Sequence, residues 1–208
     1  MKVLVTLVFI CCAPLLVAQP TGNHHLATDT EVGSDGSVTQ YVLYDYQREG
    51  KTVGLSALVL GLRADDGSQF LELGGGPDFH GKGWFLNTYF GGAKGGRLIA
   101  ATLGGIDLPH KFKFVAASDP KFPVGNLGGA PEIWFSRVWV GRDDVFRKFG
   151  LYFRHDNLQE AGHGNISSKT GVEIRRPIKS RTEVYSFGYY DYQTHNGGIT
   201  GGVRVKFR

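Results

Sequence analysis

The segment Gly202-Val203-Arg204-Val205-Lys206-Phe207, near the end of this 208-residue sequence, alternates between apolar and charged side chains. In an extended strand, successive side chains point to opposite faces. The two valines and Phe207 therefore share one face, while Arg204 and Lys206 share the other. Strict alternation of this kind indicates a β-strand with one apolar and one polar face.

Apolar side chains alternate with charged, polar or small ones over residues 111–114, 148–154 and 172–175. Between Val38 and Phe207 we identify eleven β-like segments separated by turn-forming Gly, Asn and Asp residues. The longest interruption, Ser118–Pro131, is predicted to be a loop. No long window carries a sustained helical apolar stripe. Residues 38–208 are therefore predicted to form a single all-β domain.

The composition is typical of a chain with many tight turns and alternating strands. Glycine accounts for 31 of the 208 residues, which is about twice its usual share. Aromatic residues account for a further 12%. The net charge of +4 is mild, and no dense run of Lys and Arg accompanies a recognition motif. We therefore expect no nucleic-acid partner.

The first 18 residues have the pattern of a signal peptide. Lys2 precedes an apolar run over residues 3–17, and Ala18 is the small residue expected before a cleavage site. We predict that the mature protein begins at Gln19. Both cysteines lie within this leader, so the mature chain has no disulfide and no cysteine metal site. The polar residues 19–37 are predicted to be a flexible N-terminal lead-in.

Strands with one apolar and one wet face fit a β-sandwich as well as a barrel. The C-terminal segment, however, resembles the terminal strand of bacterial outer-membrane proteins. Gly202, Val205 and Phe207 match that pattern, while Arg208 departs from it, since the family usually ends on the aromatic residue itself. The resemblance implies an antiparallel transmembrane up-and-down β-barrel of about 10–12 strands. It also implies outer-membrane lipid and the barrel-assembly machinery as partners, with these three residues as the assembly signal.

In such a barrel the apolar face of each strand contacts lipid and the polar face lines the lumen. Aromatic residues at strand ends are expected to form girdles at the membrane surfaces: Tyr41, Tyr46, Trp84, Trp139, Tyr189 and Tyr192. Eight basic residues fall opposite the apolar residues of their strands and are predicted to line or rim the lumen: Arg97, Lys111, Lys113, Lys148, Arg154, Arg175, Arg204 and Lys206. Unpaired cations in a narrow lumen attract anions.

The leading functional prediction is therefore a small porin-like channel or binding barrel in the bacterial outer membrane, for small molecules or ions, with anions among them. A secreted or periplasmic β-sandwich that binds glycans or another surface ligand is the first alternative. The second is an outer-membrane barrel hydrolase that acts on lipid. The sequence favours the absence of enzymatic activity but leaves the question open.

The motif search gives little support to the hydrolase. Asp156 and Asn157 follow His155 where a His-x-Ser pair would need its serine. A second set rich in suitable residue types is predicted to lie at a loop tip: His163, Asn165, Ser167 and Ser168. Asp78 and His80 have an Asp-x-His spacing without a matching Asp-x-Asp. A nucleophile needs an oriented base within hydrogen-bond reach. The sequence therefore predicts no catalytic residue, metal site or cofactor.

Overall fold

The computed structural model describes residues 22–34, 36–48, 52–63, 67, 69–126, 129–146, 148–179 and 181–207. These residues form twelve β-strands and one short 3-10 turn, Pro109–Lys111, and no described helix is long and apolar enough to cross a membrane. The strands are β1 (Gly22–Gly33), β2 (Val38–Arg48), β3 (Val53–Arg63), β4 (Gln69–Gly81), β5 (Trp84–Ala93), β6 (Arg97–Asp107), β7 (Phe112–Pro123), β8 (Ile133–Phe146), β9 (Phe149–Glu160), β10 (Gly164–Lys179), β11 (Thr182–Asp191) and β12 (Asn196–Phe207).

Each strand pairs antiparallel with the next one along the chain, and β12 pairs antiparallel with β1. The sheet therefore closes on itself as an up-and-down barrel with an even number of strands. At the seam, Asp29 lies opposite Arg204 and Glu31 opposite Gly202. The predicted fold class is confirmed, at the upper end of the predicted strand number.

The prediction of a flexible lead-in over residues 19–37 is wrong for Gly22–Gly33, which forms β1. Its inward positions include the acidic residues Asp29 and Glu31, and its outward positions include Thr28 and Thr30. Both faces therefore look polar in the sequence, and the apolar–polar alternation that reveals a strand is missing. Residues 1–21 lie outside the described part of the chain, so the signal peptide and cleavage before Gln19 stay predictions.

Two predicted loops are also partly strand. β7 continues through Ser118 to Pro123, with Pro120 opposite Trp134 of β8. β10 begins at Gly164, so the set around Asn165–Ser168 lies in a strand rather than at a loop tip. The reason is that Pro, Asn and Ser are common in turns, but tertiary pairing with a long neighbouring strand overrides that local preference.

The outer surface of the barrel is rich in exposed apolar side chains. Leu55 is 61% exposed, Phe90 60% and Phe153 52%. The fully buried side chains are large and face inward, and they include charged ones such as Arg154 and Glu173. Fully buried Arg and Glu side chains, together with many exposed large apolar ones, are uncommon in a water-soluble protein.

The aromatic residues predicted for the girdles divide between the two faces. Trp84 and Tyr192 are 45% and 55% exposed at strand ends, as expected for girdle positions. Trp139 instead lines the lumen. Tyr189 also points inward, since its ring lies 5.3 Å from that of the lumen residue Phe187. The girdle prediction is therefore wrong for Trp139 and Tyr189, and the side chains of Tyr41 and Tyr46 lie outside the described residues.

Candidate functional site

The lumen holds a cavity of about 950 Å³ whose two sides differ in chemistry. The side formed by β8–β12 and β1 carries most of the charged residues, and we call it the charged wall: Asp29, Glu31, Arg137, Asp156, Arg175, Glu183 and Arg204. The side formed by β2–β7 contributes most of the aliphatic lining, together with polar residues such as Gln69, Glu72 and Lys121. We call its aliphatic and aromatic part the apolar wall: Leu43, Leu58, Leu60, Leu62, Phe85, Tyr89, Ala101, Leu103, Val115 and Ala117.

Arg154 is the buried centre of the ion pairs that hold the charged wall together. Its side chain is only 1% exposed. The guanidinium donates to Glu31 over 2.9 and 3.0 Å, to Glu173 over 2.9 Å and to Asp156 over 2.7 Å. It also lies 4.2 Å from the centre of the Phe187 ring. A buried cation needs this degree of pairing, because an uncompensated charge in a dry environment is very costly.

Arg137 extends the same network. Its guanidinium donates to both carboxylate oxygens of Asp156, over 2.8 and 2.7 Å, and lies 3.5 Å from Glu31. Glu31 belongs to β1 and Arg137 to β8, with four strands between them on one side of the barrel and six on the other. The contact therefore runs across the lumen and narrows it.

Arg175 completes the network at Glu173, which accepts a hydrogen bond from it over 2.5 Å. The guanidinium of Arg175 also lies 3.7 Å from the centre of the Tyr152 ring. Three guanidinium groups thus meet three carboxylates, and the formal charge of the network is zero. We call this set the Arg154 network: Glu31, Arg137, Arg154, Asp156, Glu173 and Arg175.

A second set of ion pairs lies beside the network. Arg204 donates to Asp29 over 2.7 Å and to Glu183 over 3.1 Å. The hydroxyl of Tyr185 donates to Asp29 over 2.7 Å and lies 3.2 Å from Glu31, so it connects the two sets. The expectation of unpaired cations in the lumen is therefore wrong for Arg154, Arg175 and Arg204. Each of them is held by carboxylates whose place in the lumen the sequence does not predict.

The other predicted basic residues lie nearer the barrel ends. Lys113 lines the cavity and pairs with Asp143 over 2.5 Å. Arg97 begins β6 and donates to Glu132 over 2.9 Å, and this hydrogen bond lowers the pKa of the Glu132 carboxyl. Lys113 and Arg97 are therefore both paired, each with a carboxylate outside the Arg154 network.

Two of the predicted lumen residues, Lys111 and Lys148, lie in turns. The side chain of a third, Lys206, lies outside the described residues. Lys111 is in the Pro109–Lys111 turn, 73% exposed, and pairs with Asp144 over 2.9 Å. Lys148 lies in the exposed turn between β8 and β9, with a φ of 89°. Neither residue is in a strand, so strand alternation does not place it in the lumen. Lys206 and Phe207 are in β12, but their side chains lie outside the described residues.

Sequence reasoning missed the acidic partners and Arg137. Arg154 and Asp156 are two residues apart in one strand and therefore share a face, so their spacing could have indicated the pair. Glu31 and Asp29 fall within residues 19–37, which the sequence predicts to be a flexible lead-in. Arg137 lies in a predicted strand, but its neighbours Ser136 and Val138 do not give the apolar alternation used to select the other basic residues.

A smaller ionic cluster lies next to the apolar wall, with Glu72 directly opposite Leu60 in register. Lys121 is 3% exposed and reaches Asp119 over 2.5 Å and Glu72 over 3.2 Å. Its ammonium group also lies 5.3 Å from the centre of the Phe70 ring. One buried lysine therefore serves two buried carboxylates, which come from strands β4 and β7.

Two histidines from the motif search, His80 and His155, contact Asp78 and Thr170 rather than a serine. Asp78 contacts His80 on the same strand, and Asp78 is fully buried. His155 contacts the hydroxyl of Thr170 over 2.8 Å on the outer face, while its neighbour Asp156 faces the lumen and is held by two arginines. Among the described residues, no three His, Asp or Glu side chains could hold a metal ion.

No protein-family model matches the sequence, and no curated protein matches it either. Solved structures do match the fold. The structure of the KdgM porin superimposes with a TM-score of 0.56 at 10% identity, covering 88% of this chain and 99% of that one. The fold is that of a small porin. The NanC porin gives the same TM-score and coverage at 8% identity. A further KdgM structure is described as a complex with disordered oligogalacturonate, at 11% identity to this chain.

Proposed function

We propose that this protein is a bacterial outer-membrane barrel that takes small solutes into its lumen. The observation that carries the proposal is a closed barrel whose outer surface is apolar and whose interior holds a large cavity with a charged wall. A membrane barrel presents apolar side chains to lipid and polar ones to its lumen. The small porins KdgM and NanC, which share the fold, support the proposal at the level of architecture.

The apolar outer surface supports lipid as a partner. Large exposed side chains occur on most strands: Leu55, Leu73, Phe90, Phe112, Phe153, Val172, Ile174, Ile199 and Val203. Contiguous apolar surface of this extent would aggregate in water, and a membrane would cover it. Fractionation of cells that express the protein tests this: the native barrel should sediment with outer membranes and require detergent for extraction.

The Arg154 network supports a narrow barrel rather than a wide, permanently open pore. Solutes that pass or bind must fit beside ion pairs that cross the lumen. Small anions are included in the proposal, because guanidinium groups bind carboxylate and phosphate in the same paired geometry as they bind Glu and Asp here. An anion would compete with a carboxylate of the network for the N–H groups of an arginine.

Liposome swelling tests the uptake of solutes directly. Purified protein is reconstituted in liposomes and exposed to glucose, and then to gluconate as an anion of nearly the same size. Entry of either solute above the rate of protein-free liposomes supports the proposal, and a faster entry of gluconate supports anions as substrates. If neither solute enters and neither binds to the purified protein, the barrel has a structural role and the proposal fails.

We further propose that the barrel-assembly machinery recognises the last strand through Gly202, Val205 and Phe207. This strand pairs with both β11 and β1, so it forms the seam that closes the barrel. Phe207→Ala should reduce the amount of protein in the outer membrane while export continues. Phe153→Ala, on the outer face of β9, is the matched control. Equal membrane levels of the Phe207→Ala and wild-type proteins would refute this role.

A further inference from the structure

We infer that the lumen selects solutes with an apolar body, such as an alicyclic or aromatic ring, that carry a polar end. The inference rests on the proposed function and specifies its solute class. The ring would pack against the apolar wall, and the polar end would point to the charged wall. The evidence is the unequal chemistry of the two sides of one cavity.

The apolar wall is unusual for a lumen that holds only water and ions, since the interior of membrane barrels is generally polar. Leu58, Tyr89 and Ala101 form a buried cluster. Three partly buried leucines pack against this cluster and still line the cavity: Leu43, Leu60 and Leu103. Apolar surface that faces water is unfavourable by roughly 25 cal/mol per Å². A solute with an apolar body would remove this surface from water.

The size of the cavity fits such a solute. Its volume of about 950 Å³ lies within the range of roughly 300–1,000 Å³ that is typical of small-molecule sites. Those sites are lined mainly by apolar and aromatic side chains with a few well-placed polar groups. The arginines of the charged wall supply the polar groups, because a guanidinium has five N–H donors and Arg175 and Arg204 both line the cavity.

The same wall disfavours a fully hydroxylated solute. Hydroxyl groups that face the side chains of Leu60 or Leu103 would lose hydrogen bonds to water, and these leucines cannot replace them. Two compounds with the same six-membered carbon ring distinguish a solute with an apolar body from a fully hydroxylated one. Cyclohexanol has one hydroxyl and an apolar ring, while myo-inositol has a hydroxyl on every carbon of the same ring.

Trp139 provides the signal for a binding experiment. It lines the cavity and donates to Glu173 over 3.2 Å, while the other two tryptophans, Trp84 and Trp134, are 45% and 42% exposed on the outside. In the W84F/W134F variant, fluorescence therefore reports on the lumen alone. Titration of this protein should show cyclohexanol binding at least about tenfold more tightly than myo-inositol, a difference of about 1.4 kcal/mol.

A matched pair of substitutions in β7 locates the site. Ala117 lines the cavity and its neighbour Ala116 faces outward. In the W84F/W134F background, Ala117→Leu should fill the space beside the apolar wall and weaken cyclohexanol binding several-fold, while Ala116→Leu should leave it unchanged. If cyclohexanol binds no more tightly than myo-inositol, or if both variants weaken it equally, the inference is wrong.

Liposome swelling with myo-inositol separates this inference from the proposed function. Entry of myo-inositol without any preference for cyclohexanol would overturn the solute class and leave the solute-uptake proposal intact. If neither compound binds and myo-inositol does not enter, both are overturned. A preference for cyclohexanol that Ala117→Leu removes supports the inference whether or not myo-inositol enters.

Discussion

Glu31 on the first strand accepts two hydrogen bonds, of 2.9 and 3.0 Å, from Arg154 on the ninth. Three strands, β10–β12, lie between them on the shorter way round the barrel. The pair therefore joins two parts of the wall through the interior rather than along it. Because Asp156 and Glu173 bind the same guanidinium, this one side chain holds together carboxylates from three strands.

Arg154→Met should strongly destabilise the barrel. The substitution keeps much of the side-chain volume but removes the cation that three buried carboxylates share. Removing one partner of a buried ion pair typically costs about 3–5 kcal/mol. Unfolding of the purified barrel by urea or heat, followed by its mobility on SDS gels, measures the change. Lys111→Met is the control, because an exposed ion pair contributes about 1 kcal/mol or less. Equal stability of the two variants would contradict the central role of Arg154.

Glu31→Ala should widen the lumen. It removes the carboxylate that reaches across the lumen from β1 to Arg154 and Arg137. Arg154 retains its ion pairs with Asp156 and Glu173. Single-channel conductance in a planar bilayer should therefore rise above that of the wild type. Glu132→Ala, which removes the loop partner of Arg97, should leave the conductance unchanged. A conductance that does not rise with Glu31→Ala would mean that the narrowest point lies elsewhere.

Arg204→Gln should shift ion selectivity towards cations. Asp29, Glu183 and Arg204 together carry a formal charge of −1, and the substitution changes it to −2. The reversal potential in a salt gradient measures the shift, which should weaken at high ionic strength because ions that enter the lumen screen these charges. A shift towards anions would show that the ion pairs at this position do not set the field in the lumen.

Gly171→Ala should interfere with strand pairing between β10 and β11. A Cβ atom at this position would lie 1.9 Å from the carbonyl oxygen of Gly188, far inside contact distance. We expect a loss of about 1–3 kcal/mol in the free energy of unfolding. Gly188→Ala is the control, since its Cβ would meet no atom within 4 Å. That variant should be neutral or slightly more stable, by up to about 1 kcal/mol. Unfolding by urea distinguishes the two.

The outer face of the barrel could be predicted from the sequence because it depends on a local rule. In β9 the apolar Phe149, Leu151 and Phe153 alternate with the inward Tyr152 and Arg154, and a one-residue shift would reverse every side chain. The closed barrel followed from the same alternation together with the form of the last strand. These features need no knowledge of distant contacts.

The interior could not be predicted in the same way. Among the partners of Arg154, Asp156 lies on the same strand and Glu173 on the next one, but Glu31 comes from β1, and only barrel closure brings it to the arginine. β3 is apolar on both faces, with Leu55 and Val59 outside and Leu58 and Leu60 inside, so alternation does not reveal that the lumen has an apolar wall. Local sequence specifies which residues share a face, but not what the opposite side of the barrel presents to them.

The long separation of Glu31 and Arg154 in the chain, 123 residues, has a consequence for folding. In a sheet that is still open, β1 and β12 are free edges and Glu31 cannot reach its arginines. The buried carboxylates and guanidinium groups become fully paired only when the two edges join. Contacts between distant residues form late and slowly, because the chain must lose much conformational entropy first. Joining the edges and satisfying the interior charges should thus be a single cooperative step, and a barrel that closes in the wrong register would retain unpaired charges inside.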